Sequence, residues 1–287
     1  MIVLVTGASG YLGRAVVLAL VEGGHTVRRF AGNVLDMDAV AAGVQGVDAV
    51  IHLAGRTRVR ESFSDPVGYF QVNVAGTMNL LGAVAAGTRF LFASTASVYG
   101  TPADQPIPES CPLAPANPYA ASKAAAESAV SWASSSGRVV GTTLRMFNLA
   151  GAVQGHGDPD ATRILPRCVL AAAGRLSHVD INGSGTAIRD FVHITDAATA
   201  FVLALSGSAG GVYNVGAIPA AVNDILAATA RVTGHAVPVA HHPPHPGESP
   251  ELRADTTLIR TDLGWTPRHT TLDPLVSSQW QAVQNDA

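Results

Sequence analysis

The sequence contains few charged residues, and neither sign predominates strongly. Asp, Glu, Lys and Arg make up 14% of its 287 residues, and the formal net charge is −3. Nucleic-acid-binding proteins present clustered positive charge to the phosphate backbone, and the pair Arg28-Arg29 alone is too little for that role. The composition therefore predicts no nucleic-acid partner.

Cysteine is scarce as well. Cys111 and Cys168 are the only two, and their separation matches no metal-binding or redox motif. We expect free thiols in a reducing compartment. The N-terminal residues lack the basic segment of a signal peptide, and no apolar run is long enough to span a bilayer. These absences predict a soluble cytoplasmic protein with no membrane partner.

Hydrophobic residues, in contrast, make up 47% of the chain, which is enough for a sizeable core. Over the first 150 residues, short apolar runs alternate with alanine-rich helical patterns. This alternation predicts an α/β fold, a doubly wound parallel sheet covered by helices on both faces. The predicted strands are IVLVTGA, HTVRRF, DAVIHLAG, RFLFAS and VVGTTLRMFN. The main predicted helices span residues 11–24, 36–44 with Asp36 as N-cap, 66–87 and 118–137.

The pattern changes after about residue 150, where glycine and proline become more frequent and the predicted elements shorter. The segment HHPPHPGESP is predicted to be a loop without regular structure. We expect a main domain over residues 1–150 and a smaller lobe over residues 151–287, some of whose elements return to the main domain.

The segment TGASGYLG (residues 6–13) follows the first predicted strand and opens the first predicted helix. Gly7 and Gly10 allow the backbone to turn sharply and approach a pyrophosphate, and Gly13 allows close packing of the helix against the sheet. The N-terminus of the helix favours negative charge. The segment therefore predicts that residues 1–150 bind a dinucleotide.

The acidic residue that usually holds the adenosine ribose is missing from the end of the second predicted strand. Asn33 and Asp36 are the candidates nearby, and capping a helix is an alternative role for Asp36. Arg28 or Arg29 could instead hold a 2′-phosphate. The residues therefore leave NAD and NADP open.

Tyr119 and Lys123 are four residues apart on a predicted helix, so both side chains lie on one face. A free tyrosine has a pKa of about 10 and is a poor base at neutral pH. A neighbouring lysine cation and a positive nicotinamide ring both favour the phenolate. Together with the dinucleotide loop, the pair predicts a catalytic base, although a contact on the helix surface is the alternative.

The segments TGASGYLG, STASVYG (residues 94–100) and NPYAASK (117–123) resemble the extended short-chain dehydrogenase/reductases, the NAD-dependent epimerase/dehydratase family that acts on nucleotide sugars. The resemblance covers nearly the whole chain in the expected order. It continues through HLAG (52–55), NVAGTMNLL (73–81), LRMFNLAG (144–151), RDFVHITDAA (189–198), YNVG (213–216) and LGW (263–265). It implies a Rossmann-type domain over residues 1–150, a C-terminal substrate-binding lobe, and a homodimer formed through the helices at 66–87 and 118–137.

By this resemblance, Tyr119 is the catalytic base and acid, and Lys123 positions it together with the nicotinamide ribose. Thr95 corresponds to the hydroxyl that hydrogen-bonds the sugar, with Ser94 and Ser97 as packing and turn residues. The remaining cofactor-binding residues implied are Gly7, Gly10, Tyr11, Leu12, Asn33, Leu53, Ala54 and Gly55.

Asn148 and Arg189 correspond to residues that contact the nucleotide diphosphate, although each could have a purely structural role. His245 lies in the segment HPGE, where the family carries an arginine that grips the diphosphate. Arg58 either meets a uronate carboxylate or lies in a solvated loop. Met146 and Leu252 stand in place of tyrosines of the sugar pocket. The cluster of His241, His242 and His245 is predicted to be a surface loop and not a metal site.

Thr95 is followed by Ala96 and Ser97, where the dehydratase branch of the family carries an Asp-Glu pair. STASVYG instead resembles the 4-epimerase branch of the family, and this resemblance implies an epimerase of UDP-hexose or UDP-uronate that oxidises C4 transiently with NAD. One alternative is an NAD(P)-dependent reductase of a keto-sugar or other carbonyl, suggested by Arg28-Arg29. Another is a dinucleotide-sensing protein without catalytic activity.

Overall fold

The computed structural model describes residues 1–207, 210–244 and 249–285, and a six-stranded parallel sheet forms its centre. The strands in chain order are β1 (Ile2–Thr6), β2 (Thr26–Arg29), β3 (Ala49–His52), β4 (Thr88–Thr95), β5 (Val139–Met146), β6 (Asn148–Ala150), β7 (Ala152–Val153), β8 (His156–Gly157), β9 (Val179–Asn182), β10 (Ile188–His193), β11 (Gly211–Val215), β12 (Ile218–Ala221), β13 (Val239–His242) and β14 (Glu251–Leu252). The order in the central sheet is β11-β5-β4-β3-β1-β2, with every neighbouring pair parallel.

Helices cover both faces of this sheet. They are α1 (Tyr11–Glu22), α2 (Met37–Gly43), α3 (Val59–Ser64), α4 (Pro66–Phe70), α5 (Gly76–Ala83), α6 (Pro118–Ser135), α7 (Ile164–Ala172), α8 (Ile194–Ser206), α9 (Val222–Thr233), α10 (Thr257–Leu263) and α11 (Leu272–Asn285). Successive residues of a strand point to opposite faces. Leu91 of β4 accordingly packs in the core with α1 and α8, and Phe90 in the core with α2, α5 and α6. The predicted doubly wound α/β fold is confirmed.

The helix predicted over residues 66–87 is not continuous. A π-helical turn, Gln71–Ala75, separates α4 from α5, and α5 ends at Ala83. The predicted cap of α2 is confirmed, because Asp36 Oδ1 accepts hydrogen bonds from the backbone N–H groups of Asp38 and Ala39. α6 begins at Pro118 as predicted and ends two residues early, at Ser135, and the Asn117 side chain caps its first turn.

A second set of short strands follows the central sheet in the chain. β10 pairs with β12, β14 and β6, and β13 pairs in parallel with β9. The prediction that HHPPHPGESP is wholly irregular is therefore wrong, since His241 and His242 belong to β13. Their pairing partner lies some sixty residues earlier in the chain, so no local pattern reveals it. Residues 211–215 return to the central sheet as β11, whereas the division near residue 150 stays a prediction.

Two further observations concern membrane-spanning helices and cysteines. In the part of the chain that is described, no helix is long and apolar enough to cross a membrane. Cys111 and Cys168 are both free thiols.

Candidate active site

The glycine loop closes tightly over the end of β1. Gly7 has a φ of +67°, and a Cβ atom built on it would lie 2.7 Å from the backbone nitrogen of Ala54. A Cβ on Gly13 would lie 2.1 Å from the carbonyl oxygen of Gly7. Both positions require glycine, because a side chain would close the space between the loop, β3 and α1. This cradle at the start of α1 fits the phosphates of a dinucleotide.

A cavity of about 670 Å³ opens beside this loop, at the carboxyl ends of β1, β3, β4 and β5. That volume lies within the range of small-molecule and cofactor sites. Eleven of the predicted site residues line it: Gly7, Gly10, Tyr11, Leu12, Leu53, Ala54, Gly55, Thr95, Tyr119, Lys123 and Asn148. Met146 lines it as well. The fold therefore brings the glycine loop and the Tyr-Lys pair to one cavity.

Tyr119 is almost completely buried at the wall of this cavity. Burial raises the pKa of its phenol, and a hydrogen bond with the Thr95 side chain lowers the pKa but does not outweigh burial. This rise in the pKa of Tyr119 is opposite to the lowering that the neighbouring Lys123 cation suggests.

Lys123 is 4% exposed, and its Nζ lies 4.4 Å from the centroid of the Phe92 ring. Burial lowers the pKa of its ammonium group to about 8, and the negative charge of Glu127 works in the opposite direction. The ammonium group also lies beside the backbone of the loop after β3, since a Cβ on Gly55 would approach its Nζ to 3.7 Å. Lys123 is thus a buried cation beside this loop, one helical turn from Tyr119.

Thr95 ends β4 and begins a short 3-10 turn. Its Oγ1 accepts a hydrogen bond from the backbone N–H of Ser97, at 3.2 Å. Ser94 points to the other side, where its hydroxyl donates to the carboxylate of Glu127. The three hydroxyls of STASVYG therefore have separate environments, and Thr95 is the one beside Tyr119.

Asn73 lies behind the cavity lining and was not identified from the sequence, although it belongs to the NVAGTMNLL segment. It occupies the π-helical turn, where its Nδ2 donates to Ser122 Oγ at 2.9 Å and its Oδ1 accepts from the Arg56 N–H at 2.8 Å. Ser122 Oγ in turn donates to the carbonyl oxygen of Tyr119. This chain of hydrogen bonds fixes the loop after β3 relative to α6.

Arg163 is a second residue that the sequence did not identify. It lines the cavity directly before α7, and its guanidinium is paired with Asp158 at 3.1 Å and Asp160 at 3.6 Å. No local motif marks it, since the cavity wall to which it belongs combines residues that are far apart in the chain.

Three of the predicted site residues lie outside the cavity lining. The Asn33 side chain accepts a hydrogen bond from the Leu35 N–H in an exposed turn. Arg58 is exposed. Against the effect of burial, hydrogen bonds from Thr162 and then the charges of Arg163 and Arg58 lower the pKa of the Asp160 carboxyl group. Arg189 is half-buried, and its Nη1 donates to the carbonyl oxygen of Ile188. The predicted contact of His245 lies outside the described residues.

The carboxyl and amide groups beside these positions have structural partners. Asn148 Nδ2 donates to the carbonyl oxygen of Asp190 and so joins β6 to β10. The Asp190 carboxylate accepts from the backbone N–H groups of Ala217, Ile218 and Ala254. Asn148 thus has a structural contact and also faces the cavity.

Arg28 is committed to the protein backbone. Its Nη1 donates to the carbonyl oxygens of Gly43 at 2.9 Å and Gln45 at 2.6 Å. Arg29 is exposed. The guanidinium of Arg28 therefore anchors the segment after α2, and this gives a 2′-phosphate site no support from that residue.

The histidines of β13 have local partners. His242 Nε2 lies 2.9 Å from Asp180 Oδ1. His241 Nδ1 lies 3.0 Å from the carbonyl oxygen of Gly183. Within the described ranges, no group of three or more histidine, cysteine or acidic side chains could hold a metal ion.

A parallel doubly wound sheet and a glycine cradle at the start of α1 together define a dinucleotide-binding protein, and a buried Tyr-Lys pair lines the cavity beside the cradle. Residues 3–216 match the model of the NAD dependent epimerase/dehydratase family, and the chain belongs to that family. The family resemblance of the sequence is confirmed.

Similar proteins share nearly the whole chain. A UDP-glucose 4-epimerase of Azospirillum brasilense is 36% identical, covering 96% of this chain and 90% of its own. A UDP-glucose 4-epimerase of Corynebacterium glutamicum is 32% identical, covering 96% and 94%. The crystal structure of UDP-glucose-4-epimerase from Stenotrophomonas maltophila, with bound NAD and formylated UDP-arabinopyranose, superposes with a TM-score of 0.92 at 29% identity, covering all of both chains.

Proposed function

We propose that this protein is a nucleotide-sugar 4-epimerase that uses NAD and acts on a UDP-linked hexose or uronate. The observation that carries the proposal is the convergence of Thr95, Tyr119 and Lys123 on the cavity that the glycine loop also lines. Ala96 and Ser97 follow Thr95 and offer no carboxyl group for eliminating water. Relatives of similar length and about one-third identity that are UDP-glucose 4-epimerases support the same activity.

The cofactor would lie along the glycine loop and the ends of β3 and β4. Gly7 and Gly10 at the start of α1 would hold its phosphates, and Lys123 would hold the nicotinamide ribose. The other residues proposed to contact it are Tyr11, Leu12, Leu53, Ala54 and Gly55, with Asn33 at the adenosine end. Bound NAD supplies hydride transfer to and from the sugar C4.

The side chains of the protein would handle the proton and the position of the sugar. Tyr119, as phenolate, takes the proton of the 4-hydroxyl group and returns it when the configuration at C4 has been inverted. Thr95 orients the oxygen at C4, and Lys123 favours the phenolate through its positive charge. Inversion requires the sugar to present its other face, so the sugar end of the cavity must bind loosely while the nucleotide is held firmly.

The test is to incubate the purified protein with NAD and, separately, UDP-glucose, UDP-N-acetylglucosamine and UDP-glucuronate, and to follow the sugar by proton NMR. We expect the C4 epimer of at least one substrate, and Tyr119→Phe should abolish its formation while leaving the fold unchanged by circular dichroism. Absence of every epimer would refute the proposal. Net oxidation of NADPH with a keto-sugar would instead identify a reductase.

We also propose that the protein is a homodimer formed through the helices around α4–α6. Support comes from large apolar side chains that are exposed on α3 to α6, which contact one another. These side chains are Phe63, Val67, Phe70, Met78 and Trp132. A surface of this kind marks an interface. Light scattering should give twice the mass of the chain, and Trp132→Glu with Val67→Glu should give a monomer.

We also propose a cytoplasmic location, which the free thiols of Cys111 and Cys168 suit.

A further inference from the structure

Two positive side chains reach the cavity, among the residues described, and they lie in different surroundings. They are Lys123 and Arg163. Lys123 is buried against Phe92 beside the catalytic tyrosine, whereas the Arg163 side chain is 40% exposed. A negatively charged part of a substrate that enters the cavity therefore meets Arg163 first.

The Arg163 guanidinium is held in place by groups that are themselves fixed. Its Nη1 is 3.1 Å from Asp158 Oδ2, and the side chain of Asp158 is only 2% exposed. Gln279 of α11 holds Asp158 in place. Its Oε1 accepts a hydrogen bond from the backbone N–H of Asp158, and its Nε2 donates one to the carbonyl oxygen of Asp158. Arg163 Nη2 makes no hydrogen bond within the described chain, so N–H groups remain for a ligand. A guanidinium that is already oriented loses little entropy when it binds an anion.

The position of Arg163 relative to the catalytic groups indicates which anion it meets. Its charge lowers the pKa of Tyr119, although it makes no hydrogen bond with the phenol. Arg163 and Tyr119 line the same cavity. When the C4 hydroxyl lies at Thr95 and Tyr119, the diphosphate lies on the opposite side of the sugar ring, whereas a C6 carboxylate lies close to C4. A cation of the cavity wall that makes no hydrogen bond with the groups that meet C4 favours the diphosphate.

Resting on the proposed function, we propose that Arg163 binds the diphosphate of the nucleotide-sugar substrate and sets the affinity of the site for nucleotide diphosphates. α7 begins at the next residue, and the positive end of this nine-residue helix adds to the attraction. The role matters in this chain because the HPGE segment carries histidine at position 245 instead of a permanent cation.

The experiment compares wild type with Arg163→Gln and, as a matched control, Arg167→Gln, which removes a charge of the same helix that pairs with Asp180 outside the cavity. Isothermal titration calorimetry measures the binding of UDP, UDP-glucose and UDP-glucuronate. We expect Arg163→Gln to weaken all three by a similar factor of about 10 to 100, and Arg167→Gln to change none. Weakening of UDP-glucuronate alone would place the sugar carboxylate at Arg163 and overturn the proposal, as would unchanged binding of all three.

Wild-type controls separate this inference from the proposed function. If the wild-type protein forms the C4 epimer and Arg163→Gln binds UDP as tightly as wild type, the inference is wrong and the proposed function stands. A wild-type protein that neither binds UDP nor forms an epimer sinks the function. If Arg163→Gln melts below the assay temperature, Arg163→Lys serves instead. It keeps the charge beside Asp158 but cannot chelate two oxygens, so UDP binding should weaken several-fold; unchanged UDP binding contradicts the proposal.

Discussion

Arg145 and Glu127 form a buried ion pair behind the end of β4 that carries Thr95. Arg145 Nη2 lies 2.8 Å from Glu127 Oε2, and both side chains are less than 8% exposed. The same carboxylate accepts the hydroxyl of Ser94, the residue before Thr95. Arg145 Nη1 donates to the Tyr99 hydroxyl at 2.8 Å. The pair therefore joins α6, which carries Tyr119 and Lys123, to the ends of β4 and β5.

Replacing Glu127 by glutamine should destabilise the protein strongly. The change leaves the Arg145 guanidinium buried without its counter-charge, which typically costs about 3–5 kcal/mol when one partner of a buried pair is removed. Urea denaturation followed by circular dichroism measures the difference in the free energy of unfolding. Glu22→Gln, at an exposed position at the end of α1, is the control and should change stability by less than about 0.5 kcal/mol. A loss below about 1 kcal/mol for Glu127→Gln would contradict the role of the pair.

The pKa of Lys123 can be measured directly, because it is the only lysine of the 287-residue sequence. Protein made with ¹³C-labelled lysine gives one lysine side-chain signal. Its titration should show a pKa of about 8 in the free protein, since burial disfavours the ammonium ion. A value near the ordinary 10.5 would mean that water reaches the amine.

The same burial makes Lys123 unfavourable for stability. Its pKa is lower in the folded state, so the unfolded chain binds more protons between about pH 8 and 10.5, and stability rises with pH across that window. Below pH 8 the full cost applies, about 3 kcal/mol at about 1.4 kcal/mol per pKa unit. Lys123→Met keeps most of the apolar chain and should be more stable than wild type at pH 7. The gain should shrink towards pH 10.5, and a variant less stable than wild type at pH 7 would argue against this account.

Gly13→Ala should disrupt the glycine loop. The added methyl group would lie 2.1 Å from the Gly7 carbonyl oxygen, so the loop or α1 must shift, at a cost on the order of 1–3 kcal/mol. Gly82→Ala is the control, because nothing lies within 4 Å of its added Cβ and alanine favours the helix by about 0.5–1 kcal/mol. Thermal melting and retained NAD should both fall for Gly13→Ala and not for Gly82→Ala. Equal NAD retention in the two variants would show that the loop tolerates the shift.

Local sequence was sufficient to predict the parts of the site that lie within single elements. The glycine loop has fixed spacing at a strand–helix junction, and Tyr119 and Lys123 share a helix whose start is marked by Asn117 and Pro118. The central sheet follows from the alternation of strands and helices. These features depend on residues that are close together in the chain, so local sequence patterns are enough to predict them.

Contacts between distant segments account for what the sequence did not predict. The π-helical turn at Asn73 is held by Ser122, 49 residues away. The wall that contains Arg163 depends on Asp158 and Gln279, which meet across 121 residues. Burial also reverses a local expectation, because it raises the pKa of Tyr119 although a lysine lies one turn away. None of these contacts leaves a periodic pattern in the chain.

His52 should remain neutral with its proton on Nε2 over the whole working pH range. Thr77 Oγ1 donates its only hydrogen to the carbonyl oxygen of Asn73 at 2.6 Å, so it must accept the contact from His52 Nε2 at 3.0 Å. Nδ1 therefore accepts from Thr6 Oγ1, at 2.7 Å, and that hydroxyl oxygen also receives the backbone N–H of Ala54.

Burial, assisted by the charge of Lys123, lowers the pKa of this imidazole to about 3. The unfolded chain then binds the additional proton between about pH 3 and 6.5, so this group costs stability as the pH falls through that window. ¹⁵N NMR of histidine-labelled protein distinguishes protonated from unprotonated ring nitrogens. Assignment by comparison with His52→Asn should give one histidine with Nε2–H and unprotonated Nδ1 from pH 8 down to pH 5. An Nδ1–H tautomer, or titration near pH 6.5, would show that the link from Thr6 through His52 to Thr77 is not formed in this direction.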